Sequence, residues 1–378
     1  MRVTLRGETR ANLRSMLVEL HRPEWLVFPL RLFLLVCLSL STAQADEHLR
    51  YAQLGRCPLQ NGAAIADCVV AYRTSGTLDA ARSNVLVFPA WYGGSTADLV
   101  ASGLMGPGAL ADTDRYHVIA IEPFGNGLSS SPSNSTTQAG TGFPSFSIGD
   151  MVEAQYRLLR EQLGLERVFA VVGLSMGGMQ ALEWMVRRPD YMQRIVSIEG
   201  TPWPSSYDLL LWGTWRDASN LYRGDAASLQ QASELLARLD ALALWTPEHF
   251  VSMVEPAGVE DFVRDFTPAI TAGRLLDRRY QSTAMLEHDI RRAFAAPATD
   301  LAASVRARTL LVVFSRDHMV NPAPSLQLAR WIGAETRVLD SPCGHMGPTG
   351  PCALQQVRAE VRRFLENQQS AGTGGDHR

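Results

Sequence analysis

The chain has 378 residues, 46% of them hydrophobic and 19% charged, enough apolar content for a sizeable core in one large or two small domains. A formal net charge of −3 without a block of like charges gives no electrostatic footprint for nucleic acid or an anionic membrane. No internal repeat occurs and no His/Cys cluster has metal-ligand spacing, so neither a metal nor a cofactor is expected.

Phe28 to Leu40 is almost wholly apolar, broken by Arg31, and follows the basic residues Arg2, Arg6, Arg10, Arg14 and Arg22. Ala43-Gln44-Ala45 comes next, with the small-x-small form of a signal-peptidase site. Residues 1–45 therefore read as a secretory signal peptide cleaved before Asp46, which places the mature chain in the periplasm or outside the cell. The basic leader is long, so Met16 is an alternative start. A retained anchor is the alternative fate, although the apolar run is short for a full span. Cys57, Cys68, Cys343 and Cys352 remain, in two close pairs. In an exported protein they suggest bridges Cys57–Cys68 and Cys343–Cys352, while the count alone allows three connectivities.

Residues 51–73 look like paired edge strands, followed by a loop at 77–82. Asn84–Pro89 and Tyr116–Ile121 are short apolar strands of the buried kind. The first leads into the glycine-rich turn Ala90-Trp-Tyr-Gly-Gly94, the second into a polar loop running to Phe143. Ser147–Leu163 reads as an amphipathic helix capped by Ser147, with Asp150 at its positive end. A strand at 167–172, a helix at 176–188 and a strand at 194–199 complete the first part, residues 46–202. Apolar strands alternating with helices mean a mostly parallel sheet covered by helices on both faces. The pattern breaks over 203–300, which holds helical segments, no convincing strand, and Trp203, Trp212, Trp215 and Trp245. This stretch is expected to be a helical cap inserted into the sheet domain, with its tryptophans facing a substrate or filling the seam. The sheet pattern returns over 301–367, with strands at 308–314 and 335–339 and helices at 323–331 and 353–366. The polar, glycine-rich tail at 368–378 reads as disordered.

Within this frame, Val171-Val-Gly-Leu-Ser-Met-Gly-Gly-Met-Gln180 contains G-x-S-x-G between a strand and a helix. That is a nucleophile elbow, a tight turn that lifts Ser175 above the end of a sheet. Side chains at Gly173 and Gly177 would collide with neighbouring backbone there. A serine needs a base, and the base an orienting carboxylate, in the chain order Ser, Asp or Glu, His. Of the later histidines (His249, His288, His318, His345 and His377), only His345 sits in a loop just beyond a late strand. Asp317 follows the preceding strand, with Asp340 as runner-up. The oxyanion donors are expected to be the backbone N–H groups of Met176 and Trp91. Trp91 and Tyr92 side chains would line the acyl pocket, with the cap residues Trp203 and Trp212 as further candidates. A Cys343–Cys352 bridge would staple the loop carrying His345.

Gly173-Leu-Ser-Met-Gly-Gly-Met-Gln-Ala-Leu-Glu-Trp184 resembles the elbow of the homoserine O-acetyltransferase family in the α/β-hydrolase superfamily. The similarity extends through Tyr72–Arg82, Asp150-Met-Val-Glu-Ala-Gln155 and Ser341-Pro-Cys-Gly-His345, and so over most of the chain beyond residue 45. It implies an α/β-hydrolase fold, the triad Ser175, Asp317 and His345, and oxyanion donors Trp91 and Met176. Three features depart from the transferase. The family's histidine is typically followed by an aspartate that binds the homoserine amine, where this chain has Met346. Its oxyanion loop usually reads Ala-Leu-Thr-Gly, where this chain has Ala90-Trp-Tyr-Gly93. An exported enzyme also lacks acetyl-CoA. The expectation is an exported serine hydrolase of a small-molecule carboxylic ester, or of a similar acyl bond such as a lactone or activated amide. An acyltransferase sharing every catalytic residue is the alternative, and a non-catalytic binding protein on the same scaffold is the more distant one.

Overall fold

The structure, a computed structural model, describes residues 49–267, 270–293 and 301–367. The expected signal peptide, the last residues of the expected cap (294–300) and the tail lie outside the described residues. Among the described residues no helix is long and apolar enough to cross a membrane.

The strands are β1 (Arg50–Pro58), β2 (Ala64–Ser75), β3 (Val85–Pro89), β4 (Met105–Gly106), β5 (Ala111–Asp112), β6 (His117–Ile121), β7 (Val168–Leu174), β8 (Met192–Ile198), β9 (Arg308–Phe314) and β10 (Glu335–Leu339). Eight of them form one sheet in the order β1-β2-β6-β3-β7-β8-β9-β10. β2 runs antiparallel to both its neighbours, and every pair from β6 to β10 is parallel. The expected edge hairpin is β1–β2, with Cys57 and Cys68 at disulfide distance across it. β4 and β5 form a separate two-strand pair that the sequence reading missed, because two-residue strands carry no periodicity.

The inner strands β3, β6, β7 and β9 are largely apolar because the sheet is buried there on both faces, whereas the edge strands β1 and β10 are partly exposed. In β3, Val85 and Val87 join one hydrophobic cluster while Leu86 and Phe88 join the other. Helices α2 (Ile148–Arg157) and α3 (Met176–Arg187) feed the first cluster, and α1 (Thr96–Ala101) packs Leu99 into the second. Ser147 caps α2 with a reciprocal Asp150 contact, as its sequence predicts. The helix is not uniform to Leu163, because Leu158–Gln162 winds as a wider π turn.

Between β8 and β9 the chain runs through α4 (Ser206–Ser219), α5 (Ala226–Leu244), α6 (Pro247–Met253), α7 (Val259–Phe266), α8 (Ala272–Leu286) and the short α9 (Leu301–Ser304). Four of these start on side-chain caps: Ser205, Asp225, Thr246 and Thr271. Helix α10 (Ala323–Ile332) packs on the first face, and α11 (Leu354–Glu366) sends Val357, Val361 and Phe364 into the second.

The connectivity decides where a site can form. From β3 the chain steps outward to β6, then returns to β7 on the other side of β3. In an open α/β sheet such a reversal leaves a crevice at the carboxyl ends of the strands. Because the strands are parallel, the loops after β3, β7, β8, β9 and β10 all leave from that same edge.

Candidate active site

Ser175 follows β7 directly, with φ 55° and ψ −122°, and its N–H donates to the Ile198 carbonyl at 2.8 Å. Of the non-glycine residues with positive φ among the described residues (Arg82, Ser175 and Glu199), two belong to this site. A Cβ at Gly173 would fall on the Gly177 carbonyl oxygen, and one at Gly177 would come within 2.5 Å of the Pro89 carbonyl oxygen. Only glycine fits at either position.

His345 Nε2 lies 3.0 Å from Ser175 Oγ, and His345 Nδ1 lies 2.7 Å from Asp317 Oδ2. Asp317 Oδ1 accepts the Met319 and Val320 N–H groups at 2.8 and 2.9 Å, which fixes the carboxylate in one orientation. All three side chains are buried. Asp340, the runner-up, is elsewhere: its side chain is 72% exposed and pairs with Arg316. The reason is register, since Asp340 ends β10 on the surface while Asp317 sits in a turn after β9, nearer the sheet centre. Cys343 and Cys352 lie at disulfide distance beside His345.

Met176 opens α3, so its N–H has no acceptor inside the helix. The Ala90–Trp91 peptide is held from behind. Gln180 Nε2 donates to the Ala90 carbonyl at 3.1 Å, Gln155 Nε2 donates to Gln180 Oε1 at 2.6 Å, and Trp184 Nε1 donates to Gln155 Oε1 at 2.8 Å. A trans peptide points its C=O and N–H in opposite directions, so this chain turns the Trp91 N–H away from Gln180.

Ser175 and His345 open into a cavity of about 250 Å³, walled on the apolar side by Trp91, Tyr92, Leu174, Leu244, Met319 and Met346. Tyr92 stacks on Trp215 with ring centroids 5.3 Å apart. Burial pushes the Tyr92 phenol up. Arg278 from α8 pairs with Asp240 from α5 at 2.9 Å in the same wall. Burial opposes the Arg278 charge, yet Asp240 keeps its pKa above the usual guanidinium value. A second buried carboxylate, Glu199 at the end of β8, lies 3.6 Å from His345 Nδ1.

Residues 84–348 match the alpha/beta hydrolase fold family. The chain belongs to that family. This hydrolase-fold enzyme is 31% identical to an ethyl acetate hydrolase of Pseudomonas veronii over 334 residues, covering 83% of this chain and 94% of that one. It is 37% identical to a homoserine O-acetyltransferase of Citrifermentans bemidjiense over 180 residues, 42% of this chain and 49% of that one. Among solved structures, an acetylester hydrolase from Corynebacterium glutamicum superposes with a TM-score of 0.77 at 27% identity, covering 86% of this chain and 98% of that one.

The structure brings Ser175, Asp317, His345, Trp91, Tyr92 and Met346 of this hydrolase-fold enzyme to one place. It does not bring Trp203 or Trp212 there. Trp212 is fully buried with its indole N–H on the Met319 carbonyl at 3.0 Å, and Trp203 packs on Trp331. An indole needs an acceptor when buried, and Trp212 finds it in the seam below the cavity. Sequence reasoning also missed Arg278, Asp240 and Glu199. The first two stand on α5 and α8, and no linear spacing marks their meeting. Glu199 carried one signal, a charged residue directly after the mostly apolar run Ile195–Ile198.

Proposed function

We propose that the protein is an exported serine esterase acting on small carboxylic esters. Ser175 Oγ attacks the ester carbonyl while His345 Nε2 takes its proton, and Asp317 holds the imidazole with Nδ1–H toward the carboxylate. The oxyanion is bound by the Met176 and Trp91 N–H groups. His345 then protonates the leaving alcohol, and a water activated by the same nitrogen releases the acid from Ser175. The observation that carries this reading is the unbroken Ser175–His345–Asp317 contact, at 3.0 and 2.7 Å. The cavity of about 250 Å³ favours a short acyl group, since it lies below the roughly 300–1,000 Å³ of drug-sized ligand sites. The relatives named for ethyl acetate and acetyl esters support the same substrate range. Cleavage after Ala45 is part of the proposal, supported by two cysteine pairs at disulfide distance, which suit an oxidising compartment.

The acyltransferase reading keeps the same residues with an alcohol in place of water, and the homoserine O-acetyltransferase relative favours it. Met346 disfavours it, because an apolar thioether beside His345 offers no charge to an amine. The test is ester turnover with p-nitrophenyl acetate and butyrate, beside acetyl-CoA with homoserine, for the intact protein and Ser175→Ala. Ester turnover that disappears in Ser175→Ala, without acceptor-dependent thiol release, supports the esterase. Thiol release that requires homoserine returns the protein to the transferases. Fluorophosphonate labelling of Ser175 counts against a non-catalytic role. The mass of the protein recovered from its natural host reports cleavage before Asp46.

A further inference from the structure

Glu199 closes β8 with φ 52°, a backbone conformation that a glutamate adopts only under constraint from its surroundings. Its N–H donates to the Val312 carbonyl at 2.8 Å, which locks the residue onto β9. Its side chain is buried, and neither carboxylate oxygen meets a hydrogen-bond donor among the described residues. No arginine or lysine pairs with it there. Its titratable neighbours are two members of the proposed triad: Glu199, Asp317 and His345 present atoms that all lie within 4.8 Å of one another. A buried carboxyl with no donor and no cation has no structural employment as a hydrogen-bonding strut, so its placement against His345 calls for another explanation.

We propose that Glu199 is a reserve carboxyl of the triad, a positioning residue able to hold His345 Nδ1–H in place of Asp317. The inference rests on the esterase reading above. In the intact protein Asp317 holds the ionised seat. It is the nearer group, 2.7 Å from Nδ1 against 3.6 Å for Glu199, and it alone receives two backbone N–H donors. Burial without a hydrogen-bond donor, and after it the charge of Asp317, keep the proton on Glu199. With the charge at 317 removed, the repulsion ends while the burial remains, and Nδ1–H of His345 is the donor left to offset a charge on Glu199. Glu199 can release its proton to solvent and become the carboxylate facing Nδ1. The imidazole then keeps the tautomer with Nδ1–H and a free Nε2, which the base needs.

The test compares four full-length proteins in ester turnover: wild type, Glu199→Gln, Asp317→Asn and the double variant. Thermal unfolding of each establishes that it is folded, and Glu199→Leu replaces Glu199→Gln should the amide be tolerated poorly. Losing the orienting carboxylate of a serine triad outright costs about 10⁴-fold in kcat. With a reserve carboxyl, Asp317→Asn retains Ser175-dependent turnover, and adding Glu199→Gln lowers it at least tenfold more than the same change lowers the wild type. A residue that only packs the site gives the same factor in both backgrounds, because independent effects add. Equal factors, or Asp317→Asn with no more turnover than Ser175→Ala, overturn the proposal and leave the esterase reading intact. Wild-type turnover that survives Ser175→Ala overturns the esterase reading instead.

Discussion

Gln180 Nε2 donates to the Ala90 carbonyl oxygen at 3.1 Å, across 90 residues of chain, and so sets the plane of the peptide that carries the Trp91 N–H. The glutamine belongs to the elbow helix that also supplies Met176. The two proposed oxyanion donors are thus referenced to one rigid element, with Gln155 and Trp184 holding the glutamine in turn. This gives the Met-Gly-Gly-Met-Gln extension of the elbow a physical role. Replacing Gln180 with leucine removes the tether and leaves the Ala90 carbonyl without its donor. Removing an oxyanion donor outright costs about 10²–10³ in kcat, so misaiming one is expected to cost about tenfold or more. KM should change little, because the contact acts on the transition state. Steady-state kinetics with p-nitrophenyl acetate checks both parameters.

The Asp240–Arg278 pair should behave as a buried ion pair, with side chains only 14% and 15% exposed. Arg278→Met strands Asp240 in the cavity wall and is expected to destabilise the fold by about 3–5 kcal/mol. Replacing both, as Arg278→Met with Asp240→Leu, should recover most of that loss, since no buried charge remains unpaired. Urea denaturation of the two variants beside wild type measures the difference. Recovery in the double variant with altered ester preference would place the pair in substrate selection as well.

Asp340 offers a control on the carboxylate assignment. It faces solvent and pairs with the exposed Arg316. Exposed pairs of this kind contribute about 0–1 kcal/mol, so Asp340→Asn should leave kcat within about twofold and the fold essentially unchanged. Loss of turnover on the scale expected for Asp317→Asn would move the orienting role to Asp340.

Glu199 makes stability depend on pH in a definite direction. Burial first, and the Asp317 carboxylate second, hold its pKa in the folded state well above the usual carboxylate range. The unfolded chain releases this proton near pH 4.3, the ordinary glutamate value, while the folded chain retains it. Over that window the folded state binds more protons, so the contribution of Glu199 to stability falls as pH rises, until pH passes the folded pKa. Glu199→Gln cannot ionise in either state. Its Tm relative to wild type should therefore climb between pH 4 and pH 8, read by thermal unfolding at both. A constant difference would mean that Glu199 ionises alike in the folded and unfolded chain.

Much of this arrangement was legible in the linear chain because its determinants are local. The apolar runs at Val85–Pro89 and Arg308–Phe314, the capping signature Ser147-x-x-Asp150 and the turn glycines around Ser175 each act within a few residues, so each leaves a pattern in the order of residues. The proposed triad Ser175, Asp317 and His345 was chosen on the same ground, since each lies in the turn or loop after a parallel strand and parallel strands end on one edge. Tertiary structure alone decided the rest. Whether Trp212 faced the cavity or the seam depended on where an acceptor for its indole lay, and that acceptor is the carbonyl of Met319, 107 residues away. The Asp240–Arg278 wall joins two helices whose separation along the chain carries no signal. Glu199 looked like an ordinary strand terminus until the sheet order set β8 beside β9 and brought its carboxyl against Asp317. Sequence periodicity reports which residues are buried. Which buried polar groups meet is settled by the packing of distant elements, because hydrogen bonds and ion pairs in a core depend on position to within an ångström.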